Sequence, residues 1–522
     1  MIWELLENTA WRFPNQVAVS HQGRQVTYSQ LYHEAFALGQ FLSRVLNLEP
    51  KQRVILLLQN SPEYLIAYFA VLAAGGIVVP LNPETTAHEL HSILCHCEPK
   101  GIICQSRHKP ILKKILNELS TIAFGLIEST EEPRKIINGI PFIDLEEATR
   151  NGAIFKIDKE RRASSDKTDL AQIIYTSGTT GRPKGVMLTH ENLLANTDSI
   201  VQYLDLTHQD KAQVILPFFY SYGNSVLLSH CRVGGTLVLA NQFVFLQTII
   251  SQMVSEKVTG FSGVPASYIM LERNSGFFCT HFESLRYMTC SGGTLPKAMI
   301  SRLQATFPHI KIFIMYGQTE ASSRLSYMPP EDLSKKVGSI GMGIPGVKLN
   351  VLNKQDEPVH PGEIGEIVAE GNCIMKGYWN DPDETEKVLR KRRLYTGDLA
   401  TIDEEGYIFF VGRKSAIIKH GSYRIHPGQI EEVLGNCPDV RRVAVTGIPN
   451  ETVGEVVAAL VVKETGSQLS SRDLLQYAKQ FLPVFKLPQR VIFVEDLPQT
   501  TSGKIQRGKL KEIVDVIDSG FS

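Results

Sequence analysis

No sign of charge dominates this chain: 54 Lys and Arg stand against 54 Asp and Glu over 522 residues. That balance excludes the broad basic footprint of a general nucleic-acid binder. It also offers nothing to draw the chain onto an anionic membrane surface. Cysteine is sparse, eight residues with six scattered singly, so a disulfide scaffold is excluded. Internal repeats and low-complexity tracts are lacking. The first residues, MIWELLENTAWRF, carry Glu4 and Glu7 where a secretory leader needs an apolar run, and a cytoplasmic protein is expected. No long hydrophobic run is free of breakers. The most apolar stretch, 64–81, approaches the length of a membrane span but contains Gly75-Gly76 and Pro80. It reads as a buried helix over 62–74, a turn, and a core strand Ile77-Val78-Val79. No integral membrane segment is expected.

What is present is enough for a large core. Hydrophobic residues make up 43% and charged residues 21%, and the length implies two or more domains. Short β-branched runs at 53–58, 77–79 and 101–104 alternate with amphipathic helical patterns, such as 28–46 with Ser29 as a candidate N-cap. That alternation predicts a parallel sheet with helices on both faces. His88, His91 and Cys95 share one helical face, but their spacing matches no common zinc set. The segment reads as a plain helix ending near Cys97, before Pro99, and no metal is assigned there.

From 337 to 378 the pattern changes to short strands separated by Glu357-Pro358 and Pro361-Gly362, which predicts an antiparallel, barrel-like β subdomain. Residues 161–169 read as a polar connector. After a strand at 406–411 and the basic Gly412-Arg413-Lys414, the tail reads β/α again, with a strand at 455–462, a helix at 471–482 and a strand at 490–494. The fold expected is α/β: a large domain, 1–412, with two αβ-layered sheets plus the barrel-like part, and a small mobile α+β domain, 413–522.

The chemistry concentrates in Tyr175-Thr176-Ser177-Gly178-Thr179-Thr180-Gly181-Arg182-Pro183-Lys184-Gly185. Its glycines let the backbone turn and present N–H groups, while four hydroxyls and Lys184 add side-chain donors. This is equipment for holding a polyphosphate, although Gly-Lys-Ser/Thr is missing and the run is no Walker A loop. The run resembles the phosphate-loop signature of the adenylate-forming (AMP-binding) superfamily, in the branch of acyl-CoA synthetases and standalone adenylation enzymes. Further resemblances follow in order: Tyr316-Gly317-Gln318-Thr319-Glu320, Tyr395-Thr396-Gly397-Asp398, residues 412–431, and the lysine motif Pro498-Gln499-Thr500-Thr501-Ser502-Gly503-Lys504.

The resemblance implies attack of a carboxylate on the α-phosphate of ATP, giving acyl-AMP and pyrophosphate, then transfer of the acyl group to a thiol. Bringing two anions together makes positioning and cationic stabilisation the main tasks. By resemblance, Thr176, Ser177, Gly178, Thr179, Thr180, Gly181 and Lys184 hold the terminal phosphates. Glu320 is the Mg²⁺ ligand and Thr319 donates to the α-phosphate. Tyr316 and Gly317 meet adenine, and Gly292 and Gly293 allow close approach to the base and acyl group. Asp398 takes the ribose with Arg413 beside it. Lys504 is the catalytic lysine, swinging between carboxylate and α-phosphate as the small domain rotates.

Two departures bear on the thiol step. Ser415 stands where the family usually has Asp or Lys at the hinge. The chain reads Gly421-Ser422 where relatives read Ser-Gly ahead of the aromatic-Arg pair, on the passage for the pantetheine arm. On the acid side, Tyr220 stands at the gate, with Ser221 and Ser291 as further substrate contacts. Amino-acid adenylating relatives have Asp where Ser221 stands, and a buried ammonium left unpaired is costly, which argues against an α-amino acid. The segment 259–268 suggests an apolar or aromatic acid, with Phe261 and Tyr268 equally readable as plain core. ATP, Mg²⁺, a carboxylic acid and CoA are the implied partners. The alternative acceptor is the phosphopantetheine of an acyl or peptidyl carrier protein. A monomer or homodimer is expected.

Overall fold

The computed structural model describes residues 1–128, 134–155, 166–177, 183–240, 245–274, 276–420, 423–450, 454–499 and 505–519. Gly178, Thr179, Thr180, Gly181, Gly421, Ser422 and Lys504 lie outside that set, as do residues 161–165 of the expected connector. The chain forms two compact units. One comprises Met1–Val337, Gly341–Lys348 and Ala369–Leu394; the other comprises Gly338–Ile340, Leu349–Val368 and Tyr395–Ser522.

In the first unit two sheets share one core. One sheet is built on six parallel strands in the order Lys311–Tyr316, Tyr287–Cys290, Gly260–Gly263, Lys211–Val214, Thr236–Leu239 and Val17–His21. The other runs Gly377–Tyr378, Pro183–Thr189, Leu170–Ser177, Ile77–Pro80, Arg53–Leu57, Gly101–Gln105, Phe124–Glu128, Ile140–Asp144, Arg134–Ile137. Between them lie helices Ile2–Arg12, Tyr28–Arg44, Pro62–Ala73 and Ser221–Val233, whose apolar side chains merge with those of both sheets into one cluster. The outer face of the second sheet is covered by Ala87–Cys97 and Lys109–Ile115.

Local sequence explains the ends of these helices. Thr27, rather than Ser29, caps Tyr28–Arg44: its side chain accepts from Gln30 N while the Gln30 side chain accepts from Thr27 N at 2.9 Å. That reciprocal box fixes the cap two residues before Ser29, and Ser29 turns to His33 instead. Ser61 caps Pro62–Ala73, with Pro62 in the first turn, where a missing N–H costs nothing. This helix is buried on nearly every side, so its apolar run serves a core. No helix among the described residues is long and apolar enough to cross a membrane. Ala87–Cys97 ends where Glu98 takes φ +46°. His91 there pairs with Glu118 at 3.0 Å, and no metal-binding cluster of three or more His, Cys, Asp or Glu occurs among the described residues.

Strands Val347–Leu352, Gly365–Gly371, Arg393–Ile402 and Ile408–Arg413, most of whose residues belong to the second unit, follow one another as neighbours in an open row. The barrel expected for this region does not close among the described residues. Long strands such as Arg393–Ile402 pair along a sheet rather than curling back on themselves. Further along, strands Ile418–His420, Tyr423–Ile425, Gly454–Lys463, Val440–Asn450 and Arg490–Phe493 form a separate sheet. Helices Pro427–Gly435 and Ser471–Ala478 pack on one face, and Arg507–Ser519 supplies Leu510 and Val514 to the other. The helix expected over 471–482 thus stops four residues early.

Candidate active site

The phosphate-loop segment is a hairpin. Leu170–Ser177 and Pro183–Thr189 pair antiparallel with Thr176 opposite Lys184, and residues 178–182 are outside the described set. Lys184 Nζ is 2.5 Å from Glu384 Oε2 and 5.1 Å from the centre of the Tyr378 ring. Hydrogen bonds from Lys184 and Lys387 hold the Glu384 carboxyl down to about 2. Tyr378 O–H donates to Glu320 Oε1 at 2.8 Å. One tyrosine therefore touches both the lysine expected at the phosphates and the carboxylate expected at Mg²⁺.

Glu320 is fixed from the backbone as well. Its carbonyl accepts from Met375 N at 2.8 Å. The short 3-10 turn Thr319–Ala321 follows Gly317, where a Cβ would fall 1.9 Å from Ser323 O. Only glycine lets the chain double back so tightly. Ser322 and Ser323, at φ +61° and +144°, complete the reversal, and Ser322 Oγ donates to Cys373 O at 2.8 Å. Tyr316 ends the preceding strand and accepts from Leu325 N.

The acid side reaches the same turn. Tyr220 precedes helix Ser221–Val233, and Ser221 Oγ lies 3.3 Å from Thr319 Oγ1. Two residues singled out separately in sequence, 98 positions apart, are thus neighbours. Tyr222, the residue after Ser221, enters a buried run of hydroxyls. Tyr222 O–H is 2.8 Å from Thr289 Oγ1, which donates to Ser262 Oγ at 2.9 Å, and Tyr268 O–H donates to Thr289 O at 2.8 Å. Phe261 and Tyr268 pack edge to face, which makes Phe261 core. Ser291 follows strand Tyr287–Cys290 and is buried. Gly292 takes φ +86° and Gly293 packs under Pro265.

Asp398 and Arg413 belong to the second unit. They are cross-strand partners with Nε and Oδ1 3.0 Å apart, and Asp398 is only 2% exposed. Arg413 thereby holds the carboxylate expected to receive ribose. Lys414 pairs with Glu366 at 2.9 Å. The side chains of Ser177 and Ser415, and all of Lys504, lie outside the described residues.

Three residues escaped the sequence reading. Tyr378 and Glu384 carry no motif of their own: Tyr378 is placed by pairing of the short strand Gly377–Tyr378 with Val186 and Met187, and Glu384 by the helix Pro382–Val388 that follows it. Arg324 left a trace: it is a lone cation within Ala321-Ser322-Ser323-Arg324-Leu325-Ser326, just past the glutamate motif.

A carboxylate, a lysine on an adjoining hairpin and the hydroxyls of Ser221 and Thr319 are thus gathered around one turn of an α/β fold. The AMP-binding enzyme family matches residues 6–379, and the AMP-binding enzyme C-terminal domain matches 429–504. A long-chain-fatty-acid–CoA ligase of Bacillus subtilis (strain 168) is 32% identical, over 97% of this chain and 93% of that protein. A feruloyl-CoA synthase of an Amycolatopsis species is 32% identical, over 95% and 96%. Among solved structures, ATP-bound MatB from Rhodopseudomonas palustris superposes with a TM-score of 0.87 at 27% identity, covering 99% of this chain and 100% of that one. O-succinylbenzoate CoA synthetase (MenE) from Bacillus subtilis, in complex with its acyl-adenylate intermediate, gives 0.84 at 26%, covering 97% of each. The chain belongs to the AMP-binding enzyme family. It is an ATP- and Mg²⁺-using acid–CoA ligase of the acyl-CoA synthetase type that works through an acyl adenylate.

Proposed function

We propose the following division of labour for this ligase. The acid carboxylate attacks the α-phosphorus of ATP, the bond to the bridging oxygen breaks, and pyrophosphate leaves with the electron pair. Thr319 donates to the α-phosphate, while Lys184 and Thr176 meet the terminal phosphates. The Glu320 carboxylate fits Mg²⁺: it is a hard oxygen ligand, oriented by the hydrogen bond from Tyr378. The bound ion supplies charge neutralisation on the phosphates. Lys504 bridges the carboxylate and α-phosphate oxygens in the first step. In the second, a CoA thiolate attacks the acyl carbonyl and AMP departs.

The observation that carries this reading is the 3.3 Å approach of Ser221 and Thr319. It brings the acid-side helix and the phosphate-side turn to one point, where a carboxylate and an α-phosphate would meet. Ser221 offers no counter-charge, so the acid is one without an α-ammonium group.

The test is mass spectrometry after incubation with ATP, Mg²⁺, CoA and a pool of carboxylic acids. Acyl-CoA is the expected product. Acyl-AMP alone would redirect the second step to the phosphopantetheine thiol of a carrier protein. Lys504→Ala should slow adenylate formation by ~10²–10³-fold, as loss of one preorganised donor does, and largely spare thioester formation from supplied acyl-AMP. Equal loss in both steps would remove Lys504 from its role.

A further inference from the structure

Arg324 is 1% exposed, the bulkiest of the fully buried side chains in the described residues. Its guanidinium has no carboxylate partner among them. Nη1 donates to Tyr203 O–H at 2.5 Å and lies 3.2 Å from Met315 Sδ. The ring of Tyr222 stands 5.1 Å from the guanidinium carbon, and Nε is buried without an acceptor. A cation in a core is normally balanced by an anion, because its lost hydration is expensive. A tyrosine hydroxyl, a thioether and an aromatic face do not supply that balance.

The place of this charge is informative. Arg324 lies five residues beyond Thr319, on the strand-ward return of the turn that Gly317 makes possible. Tyr222, against which it lies, directly follows Ser221, the residue beside Thr319. The Tyr222 hydroxyl continues the contact to Thr289 and Ser262. The guanidinium faces the Tyr222 ring while that tyrosine's hydroxyl meets Thr289, so the buried charge lies one side chain away from the helix start that carries Ser221. An acid with a second anionic group would bring the counter-ion that this guanidinium lacks.

Resting on the ligase reading above, we propose that Arg324 determines acid specificity and that the preferred substrate is a short dicarboxylic acid. One carboxylate becomes the adenylate, and the other pairs with Arg324. The bulk of Tyr222, Tyr268 and Arg324 favours a few-carbon spacer. Hydrogen-bonding sites of this kind reject analogues lacking the polar group, because the site's own donors are then left unpaired.

The test is pyrophosphate release with ATP and Mg²⁺, using succinate against butyrate and glutarate against pentanoate. The full chain is used, as wild type, Arg324→Met and Arg324→Lys. The wild type should favour each dicarboxylate over its partner by at least ~10²-fold in kcat/KM. Arg324→Met should lose that preference through KM for the dicarboxylate and gain on the monocarboxylate, with the KM for ATP little changed. Its melting temperature should hold or rise, since an unbalanced buried charge is gone. Arg324→Lys should keep part of the preference. A wild type that releases pyrophosphate equally well with the monocarboxylates overturns the proposal and leaves the ligase reading standing. So does an Arg324→Met enzyme that loses both acids equally along with its melting temperature. Pyrophosphate release with no acid overturns both.

Discussion

The Lys184 ammonium and the Glu384 carboxylate, 200 residues apart in sequence, lie 2.5 Å from one another beside the Tyr378 ring. A phosphate arriving at Lys184 must therefore compete with an anion the protein already supplies. Glu384→Gln should remove the competitor and lower the KM for ATP by ~3–10-fold, read from initial rates of pyrophosphate release. A raised KM would mean that Glu384 aims the lysine rather than restraining it. The pair persists at neutral pH because Glu384 titrates near about 2. With a folded-state value below the unfolded one, its stabilising contribution is present above about 4.5 and is lost as pH falls toward about 2. Solvent around the pair keeps that contribution small.

Tyr378 is a positioning residue for Glu320. Tyr378→Phe removes one hydrogen bond to a charged group, which is worth about 1.5–3 kcal/mol when intact. The Mg²⁺ concentration for half-maximal adenylation should rise by ~10-fold, with a much smaller change in kcat at saturating Mg²⁺. A uniform fall in kcat with an unchanged Mg²⁺ requirement would assign Tyr378 elsewhere.

Gly317 and Gly293 separate packing from conformation. Gly317→Ala drives a methyl to 1.9 Å from the backbone Ser323 O, whereas Gly293→Ala places one 3.3 Å from a Pro265 ring carbon, so only a few tenths of an ångström must be taken up. Overpacking of the first kind costs about 1–3 kcal/mol. Urea unfolding should show that loss for Gly317→Ala and little for Gly293→Ala. Equal stability of the two variants would contradict the geometry of the turn.

Two buried histidines give the pH response of stability. Burial, the leading cause, lowers His190 and His230 to about 4. Ile2 N donates to His190 Nδ1 at 3.2 Å, and His230 Nδ1 lies 2.8 Å from Val226 O. The unfolded chain takes up protons below about 6.5 that the folded one refuses. Stability is therefore unaffected above that pH and falls between about 6.5 and 4, by up to about 1.4 kcal/mol per pH unit for each histidine. Urea titrations at pH 7, 6 and 5 should show the fall, and His190→Asn should flatten it. Identical slopes for the two proteins would contradict a neutral His190.

Much of this was legible in the chain. Alternating β-branched and amphipathic runs foretold layered parallel sheets, and Gly75-Gly76 with Pro80 correctly broke an apolar stretch into helix and strand. Motif residues found independently, Ser221 and Thr319, proved to be neighbours. The failures have physical causes. Short Pro- and Gly-punctuated strands look alike whether they close a barrel or extend a sheet, because closure depends on non-local pairing. Thr27 displaced Ser29 as cap because the box needs Gln30 three residues on. Tyr378 and Glu384 could not be found at all, since one lies on a two-residue strand paired across nearly 200 positions and the other on the short helix after it, meeting Lys184 across 200 positions. Of the two readings open for Phe261 and Tyr268, the structure shows core: they pack edge to face, and Tyr268 O–H donates to Thr289 O.

The first unit's single core has a consequence for how the molecule comes apart. Val19, Val54, Leu126, Val214 and Leu237 come from both of its sheets, yet they share one apolar cluster. The sheet around 440–493 has clusters of its own on each face. Cooperativity follows shared burial, so neither large sheet should survive the loss of the other, while the tail should melt on its own schedule. Calorimetry should resolve two transitions, the broader unit taking both of its sheets in one step. Protease digestion between the transitions should leave the first unit's two sheets together, never one without its companion.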